Sequence, residues 1–254
     1  MHRILVDSVL IESDSPELPR EAVRHLNVVR PKDGEAIELF DGCGRTRLYR
    51  YSAAVKRIVA SGDALYHERS GRAQVLFACV TKGQRWDWTI QKATELGATR
   101  IVPVLSERTI VRIARGEREE KRARWQKIAE EAARQSSAVW LPEIAAPVDF
   151  SDAAALARGT LCFVGALVTP PPTMLLDAVL DAKTSGALEQ QAAVSLFVGP
   201  EGDFTPGELD ALLEFASPTS FGPFVLRAET AAIYGLTVIS AALHNKTTSS
   251  GATL

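Results

Sequence analysis

Two short segments in the last third of the chain carry side chains that chemistry could use. The first is Gly199-Pro200-Glu201-Gly202, which follows an apolar run at residues 195–198 and precedes a helix-patterned stretch from about residue 206. A glycine loop between strand and helix ordinarily suggests a phosphate cradle, because the first amides of a helix favour anions. Here Pro200 has no amide hydrogen, and Glu201 and Asp203 place negative charge where phosphate would sit. The loop matches neither the dinucleotide pattern GxGxxG nor the nucleotide pattern GxxxxGK[ST]. The second segment is "FGPFVLRAETAAIYG", residues 221–235, in which Arg227 and Glu229 stand between an apolar run and an apolar helix. One reading makes Glu229 a first-turn residue matched to the helix dipole, with Arg227 as its ion-pair partner. The other makes the two loops facing walls of one ligand site.

Both segments need strands to present them. "QVLFACV", "RIVPVL", "TLCFVGAL", "AVSLFVG" and "SFGPFVL" are apolar runs of strand length, and continuous apolar runs mark strands buried on both faces. Between them lie helical patterns near residues 84–97, 117–137, 173–182 and 206–216, and a last helix runs from about Glu229 to Asn245. Strand and helix alternate about five times, which predicts a mostly parallel α/β sheet. In such sheets ligands bind at the carboxyl ends of the strands, which is where both loops fall. The first seventy residues differ. "RILV", "EAIELFD", "RTRLYRYSAAV" and "ALYHER" read as short strands broken by "KDGE", "DGCG" and "SGD" turns. One helix, "PREAVRHLNVVR", puts Ala22, Leu26 and Val29 on one face. This predicts a compact β-barrel with one helix, and a boundary at "ERSGR" gives domains at 1–72 and 73–254. The tail "KTTSSGATL" reads as frayed.

Composition excludes several function classes. With 254 residues, 46% hydrophobic and 24% charged, the chain has globular composition and no apolar run of membrane-spanning length. Acids and a proline interrupt the N-terminus where a secretion signal needs an apolar core, so a cytoplasmic protein is expected. Cys43, Cys79 and Cys162 are odd in number and unclustered, and the four histidines are scattered. Reduced thiols and no metal site are expected. The net charge of −2 hides an asymmetry. Residues 82–135 carry 13 basic and 8 acidic side chains, whereas residues 136–254 carry 4 and 12. The stretch holding Arg108, Arg112 and Arg115 reads as a basic loop suited to phosphates, although a solvated charged helix has the same composition.

Four stretches taken together resemble the SPOUT-class ribosomal RNA methyltransferases of the RsmE type. They are "EAVRHLNVVRPKDGEAIELFDG", "QKATELGATRIVPVLSERT", "FVGPEGDFTPGELD" and "FGPFVLRAETAAIYGL", in the family's order, and they span nearly the whole chain. The resemblance implies an N-terminal PUA-like β-barrel that binds RNA and a C-terminal α/β methyltransferase domain tied in a deep trefoil knot. It also implies a homodimer and the use of S-adenosylmethionine to methylate N3 of a uridine in 16S ribosomal RNA, with the assembled small ribosomal subunit favoured as substrate. Two departures stand out: the family has a glycine where this chain has Asp203, and a basic residue where it has Phe224.

Carried onto this chain, the cofactor would be held by Leu167 and its neighbours from 165 on, by Val198, Gly199, Pro200, Glu201 and Gly202, and by Gly222, Leu226, Thr230 and Ala231. Acids suit this ligand because its sulfonium is a cation; Glu201 would either face that charge or brace the loop by accepting backbone hydrogen bonds. Arg227 is expected to stabilise the uracil anion left when N3 loses its proton. Glu229 is expected to orient Arg227, or to take the proton. Arg24, Arg30, Arg108, Arg112 and Arg115 are expected RNA contacts. Two alternatives stay open at this point: a related enzyme acting on another ribosomal or transfer RNA nucleotide, and a non-catalytic RNA-binding assembly factor. A nucleotide-dependent oxidoreductase is disfavoured by the missing glycine pattern and by the acids.

Overall fold

The structure, a computed structural model, describes residues 1–69 and 71–244. The expected frayed tail and Asn245, the expected end of the last helix, lie outside the described residues. The chain divides into two compact units, Met1–Ser70 with Ala129–Leu141, and Gly71–Ile128 with the chain from Pro142 onward.

In the first unit β1 (His2–Leu5) is followed by a single-turn helix α1 (Ser8–Ile11) and by α2 (Arg20–Val29). Then come β2 (Ala36–Phe40), β3 (Arg45–Ser52), β4 (Arg57–Ala60) and β5 (Leu65–Tyr66). β1 runs parallel to β2, β2–β3–β4 form an antiparallel meander, and β5 pairs with β3. Ile37 and Leu39 alternate inward along β2 and meet Tyr49, Ile58, Ala22 and Leu26 in one core. The buried Tyr49 hydroxyl donates to the Ile11 carbonyl at 2.9 Å. β4 was not read from the sequence: Ile58 is its one fully buried residue, between the exposed Arg57 and Val59. Residues 129–141 also belong here, which the sequence reading placed in the second domain. The buried Arg3 explains the attachment, since it pairs with Glu38 and donates to the carbonyls of Ala133 at 2.8 Å and Ala138 at 3.1 Å.

The second unit opens with β6 (Ala73–Cys79), α3 (Gln84–Glu95), β7 (Arg100–Leu105) and α4 (Arg118–Ser136), whose residues from Ala129 on belong to the first unit. It continues through β8 (Glu143–Ile144), β9 (Val148–Asp149), α5 (Phe150–Ala157), β10 (Leu161–Gly165) and α6 (Leu175–Thr184). It ends with β11 (Ala193–Val198), α7 (Pro206–Leu213), β12 (Ala216–Thr219) and α8 (Ala228–His244). The strands lie in the order β12-β10-β11-β6-β7-β8, with β9 also on β7, and every pairing is parallel. The expected parallel α/β sheet is therefore present. All six residues of β11 are buried, as its unbroken apolar run requires, and Phe197 stacks on Phe77 of β6 with centroids 4.6 Å apart.

One expected strand is displaced. The apolar run "SFGPFVL" was read as strand, but β12 ends at Thr219 and residues 220–227 form a loop. Gly222 has φ +124 and Pro223 has no amide to pair, so the run cannot continue a ladder. As a result Phe224 and Val225 are 79% and 76% exposed. The short β8, β9 and α5 were not anticipated either.

Candidate active site

The carboxyl ends of β10, β11 and β12 are neighbours, and the loops that leave them border a half-open cavity. Each loop is shaped by local chemistry. After β11, Pro200 O accepts from Asp203 N at 2.9 Å, closing a turn. Asp203 occupies the left-handed region with φ +57, where glycine is the default and Asp is tolerated when its side chain bonds locally. It does so here, accepting from the Phe204 amide at 2.7 Å. This accounts for Asp203 at a position where the family resemblance expects glycine. α7 then starts with a capping box: Thr205 Oγ1 accepts from Glu208 N at 3.3 Å, and Glu208 Oε2 accepts from Thr205 N at 3.0 Å, with Pro206 in the first turn. After β12, Ser220 is held on both backbone sides by residues 173 and 175 at 2.9 Å. At the end of β10, Gly165 lets the Phe221 ring approach, for a Cβ there would stand 2.7 Å from two ring carbons.

Most of the expected cofactor residues meet in this cavity. Leu167, Val198, Gly199, Pro200 and Glu201 line it, as do Gly222, Leu226 and Ala231. Gly202 does not; its carbonyl accepts from Arg108 Nη1 at 2.9 Å. Thr230 does not either, since it faces a second cavity beside the first. Of the two roles expected of Glu201, bracing its loop through backbone hydrogen bonds is not seen, while its side chain does line the cavity. Its Oε1 is 3.0 Å from Arg85 Nη1 of α3, a partner the sequence reading missed. Among the described residues no lysine, arginine or histidine lines the first cavity, whereas Glu201 and Asp203 do.

The second cavity is lined by the expected catalytic pair, Arg227 and Glu229, with Gln84, Trp88, Gln91 and Thr230. Arg227 is exposed in the loop, while Glu229 sits in the first turn of α8 and is only 7% exposed. No hydrogen bond or ion pair joins the two in this structure, against both the ion-pair and the orienting expectations. Instead, the Arg227 carbonyl takes the Ala231 amide at 2.8 Å as the helix begins, and Glu229 Oε2 is buried without a hydrogen-bond partner. Residues 226, 228 and 231 face the first cavity and 227, 229 and 230 the second, so one segment rims both.

The expected RNA-contact arginines fall in different surroundings. Arg24 and Arg30 are exposed in and just after α2 of the first unit, Arg30 with φ +48. Arg112 donates to its own loop at the Glu107 carbonyl, 3.2 Å, and Arg115 approaches Asp149 only to 3.9 Å with its side chain 89% exposed. Arg108 is committed elsewhere: besides Gly202 it reaches the Phe204 carbonyl at 3.3 Å, so it clamps the β11 loop. Among the described residues no group of His, Cys, Asp and Glu could hold a metal, and no helix is long and apolar enough to cross a membrane.

The fold is shared with solved methyltransferases. A methyltransferase from Legionella pneumophila in complex with the cofactor SAM aligns with a TM-score of 0.80 at 28% identity, over 94% of this chain and 97% of that one. The chain belongs to the RNA methyltransferase domain family, whose model matches residues 69–240. Ribosomal RNA small subunit methyltransferase E from Neisseria gonorrhoeae, bound to S-adenosyl methionine, aligns with a TM-score of 0.78 at 27% identity, over 95% of this chain and 97% of that one. The protein of the same name from Synechocystis sp. is 36% identical over 176 residues, 67% of this chain. The matched stretch spans about half, 54%, of that relative's length.

Proposed function

We propose that this protein is an S-adenosylmethionine-dependent methyltransferase acting on N3 of a specific uridine in the 16S ribosomal RNA of the small ribosomal subunit. The observation that carries the reading is the first cavity. Its apolar side chains, exposed backbone and two acids suit an adenosyl group with a cationic sulfur, and among the described residues it has no basic side chain to hold phosphates. S-adenosylmethionine supplies there a methyl group on positively charged sulfur. The similarity to ribosomal RNA small subunit methyltransferases narrows the substrate to ribosomal RNA.

The chain's own residues then have separable tasks. Leu226, Ala228 and Ala231 give the cofactor an apolar floor, and Gly199 admits it to the backbone of the β11 loop. A Cβ on Gly199 would lie 3.0 Å from Asp203 Oδ1, so side chains there would disturb the turn. N3 of uracil must lose its proton, passed to water, before it can accept a methyl, leaving negative charge spread over O2 and O4. Arg227 donates to one of those oxygens, leaving the N3 lone pair open to the methyl, and Glu229 Oε2 accepts from Arg227 once the arginine turns inward. Phosphates are held by Arg24 and Arg30 in the first unit and by Arg112 and Arg115 in the second, contacts that position RNA without reading its sequence. In this reading residues 1–72, the greater part of the first unit, form a PUA-like RNA-binding domain, and the methyltransferase domain of residues 73–254 is tied in a trefoil knot. The enzyme works as a cytoplasmic homodimer.

Arg227→Ala tests the assignment. Removing a preorganised donor to a developing oxyanion costs about 100- to 1000-fold in kcat, and that loss is expected with S-adenosylmethionine affinity within about threefold of wild type, since Arg227 faces away from the first cavity. Wild-type turnover by this variant would take Arg227 out of the mechanism.

A further inference from the structure

The second cavity has an aromatic wall that the mechanism does not yet use. Trp88 on α3 is 44% exposed, on the side of the helix away from Trp86 at 2% and Ile90 at 0%, which are buried in the core. Trp86 packs edge-on against Trp125 at 5.5 Å, while Trp88 is paired with no other ring among the described residues. The same cavity is lined by this half-exposed indole and by a buried carboxylate. Glu229 is that carboxylate, and its Oε2 is left without a partner, which buried polar atoms rarely are. Gln84 and Gln91, each able to donate and accept, complete the same wall.

We propose that this cavity seats the target base, flipped out of its RNA, with the indole of Trp88 as the stacking platform. The inference rests on the reading of the protein as a uridine-N3 methyltransferase. N3 lies on the pairing edge of uracil, so chemistry there requires an unpaired base, and a base drawn out of its stack needs a pocket that replaces the stacking and reads the edge. The cavity offers the three things such a pocket needs: an aromatic face, amides and Arg227 for the edge, and a position next to the methyl donor. The last follows from the shared rim at residues 226–231 and from the Arg85–Glu201 pair, which joins a residue of the second cavity to one of the first at 3.0 Å. Trp88 is a substrate-contacting residue in this account, and Glu229 a positioning one.

The test compares Trp88→Ala and Trp88→Phe with wild type in steady-state methylation of small ribosomal subunits, alongside calorimetric titration of S-adenosylmethionine and light scattering. Stacking on one ring supports roughly 5- to 150-fold per base. Trp88→Ala should lose about that much in kcat, with KM for subunits within about threefold because phosphate contacts survive, and with cofactor affinity and oligomeric state unchanged. Trp88→Phe, which restores a ring, should recover most of the loss. Wild-type kcat in Trp88→Ala would overturn the proposal. So would a loss accompanied by weaker cofactor binding or a smaller particle, for Trp88 would then pack on protein, a second copy included. Wild-type protein that places no methyl on uridine would instead remove the parent reading, and the base seat with it.

Discussion

Gly165→Ala is the sharpest test of how the first cavity is built. A methyl group at this position would stand 2.7 Å from Cε2 and Cζ of Phe221. Carbon atoms settle at about 3.5 Å or more, so the ring must retreat by roughly 0.8 Å. It cannot retreat toward α8: Tyr234 already lies against it at 5.8 Å between centroids, and the Gly235 backbone is so close that a Cβ there would touch Cζ at 3.5 Å. The open direction is the cavity, which Phe221 lines. Overpacking of this kind costs about 1–3 kcal/mol. If the ring is pushed into the ligand's volume, that cost appears on binding, and at tenfold per 1.4 kcal/mol S-adenosylmethionine affinity should fall by about 5- to 150-fold. Calorimetric titration measures the affinity, and scanning calorimetry the accompanying drop in Tm, about 2–4 °C for each kcal/mol in a chain of this size. Adding Phe221→Leu should return part of the affinity by removing the ring carbons that clash. A Gly165→Ala variant that binds within twofold of wild type, with unchanged Tm, would refute the reasoning.

Other parts of the account make independent predictions. Asp203→Gly should fold with stability close to wild type, whereas Asp203→Val should lose about 1–2 kcal/mol in denaturant unfolding, because a β-branched residue is penalised in the left-handed region. Burial pushes the Cys79 thiol up to about 11 and the Cys162 thiol up to about 12, so at pH 8 both are almost wholly protonated and slow to react, while Cys43 is exposed. A thiol reagent should therefore label one cysteine quickly in the native protein and three after unfolding, the single site identified by peptide mass. The Arg112→Ala/Arg115→Ala pair should weaken RNA binding and flatten the dependence of log affinity on log salt by roughly 0.7–0.9 for each phosphate no longer neutralised; an unchanged slope would remove these side chains from the interface.

The parallel sheet was legible because its strands are continuous apolar runs and its helices carry periodic stripes, and both signals are local. β11 and its GPEG loop were read in place for that reason. The end of β12 was misread because apolarity alone cannot distinguish a buried strand from an apolar loop; Gly222 and Pro223 broke the ladder and left Phe224 and Val225 in solvent. The attachment of residues 129–141 to the first unit was invisible, since it depends on Arg3 reaching carbonyls some 130 positions away. The same limit hid Arg85 and Trp88. Their signal was an arginine and two tryptophans opening a helix directly after a buried strand, but the helical period places only Trp86 on the buried face, with Ile90 and Ala93, and does not say what the opposite face meets. Arg108 shows the converse: charge pattern marked it as a phosphate contact, and the fold uses it to hold the carbonyls of Gly202 and Phe204.

The central claim is the identity of the reacting atom, and mapping the product addresses it directly. Small ribosomal subunits lacking the modification are incubated with the protein and isotope-labelled S-adenosylmethionine, and the RNA is digested and mapped by mass spectrometry with nucleoside standards. The account predicts one labelled methyl per subunit, on N3 of a single uridine, and none with Arg227→Ala. Label on a ribose, on another base, or absent from the RNA altogether would contradict it.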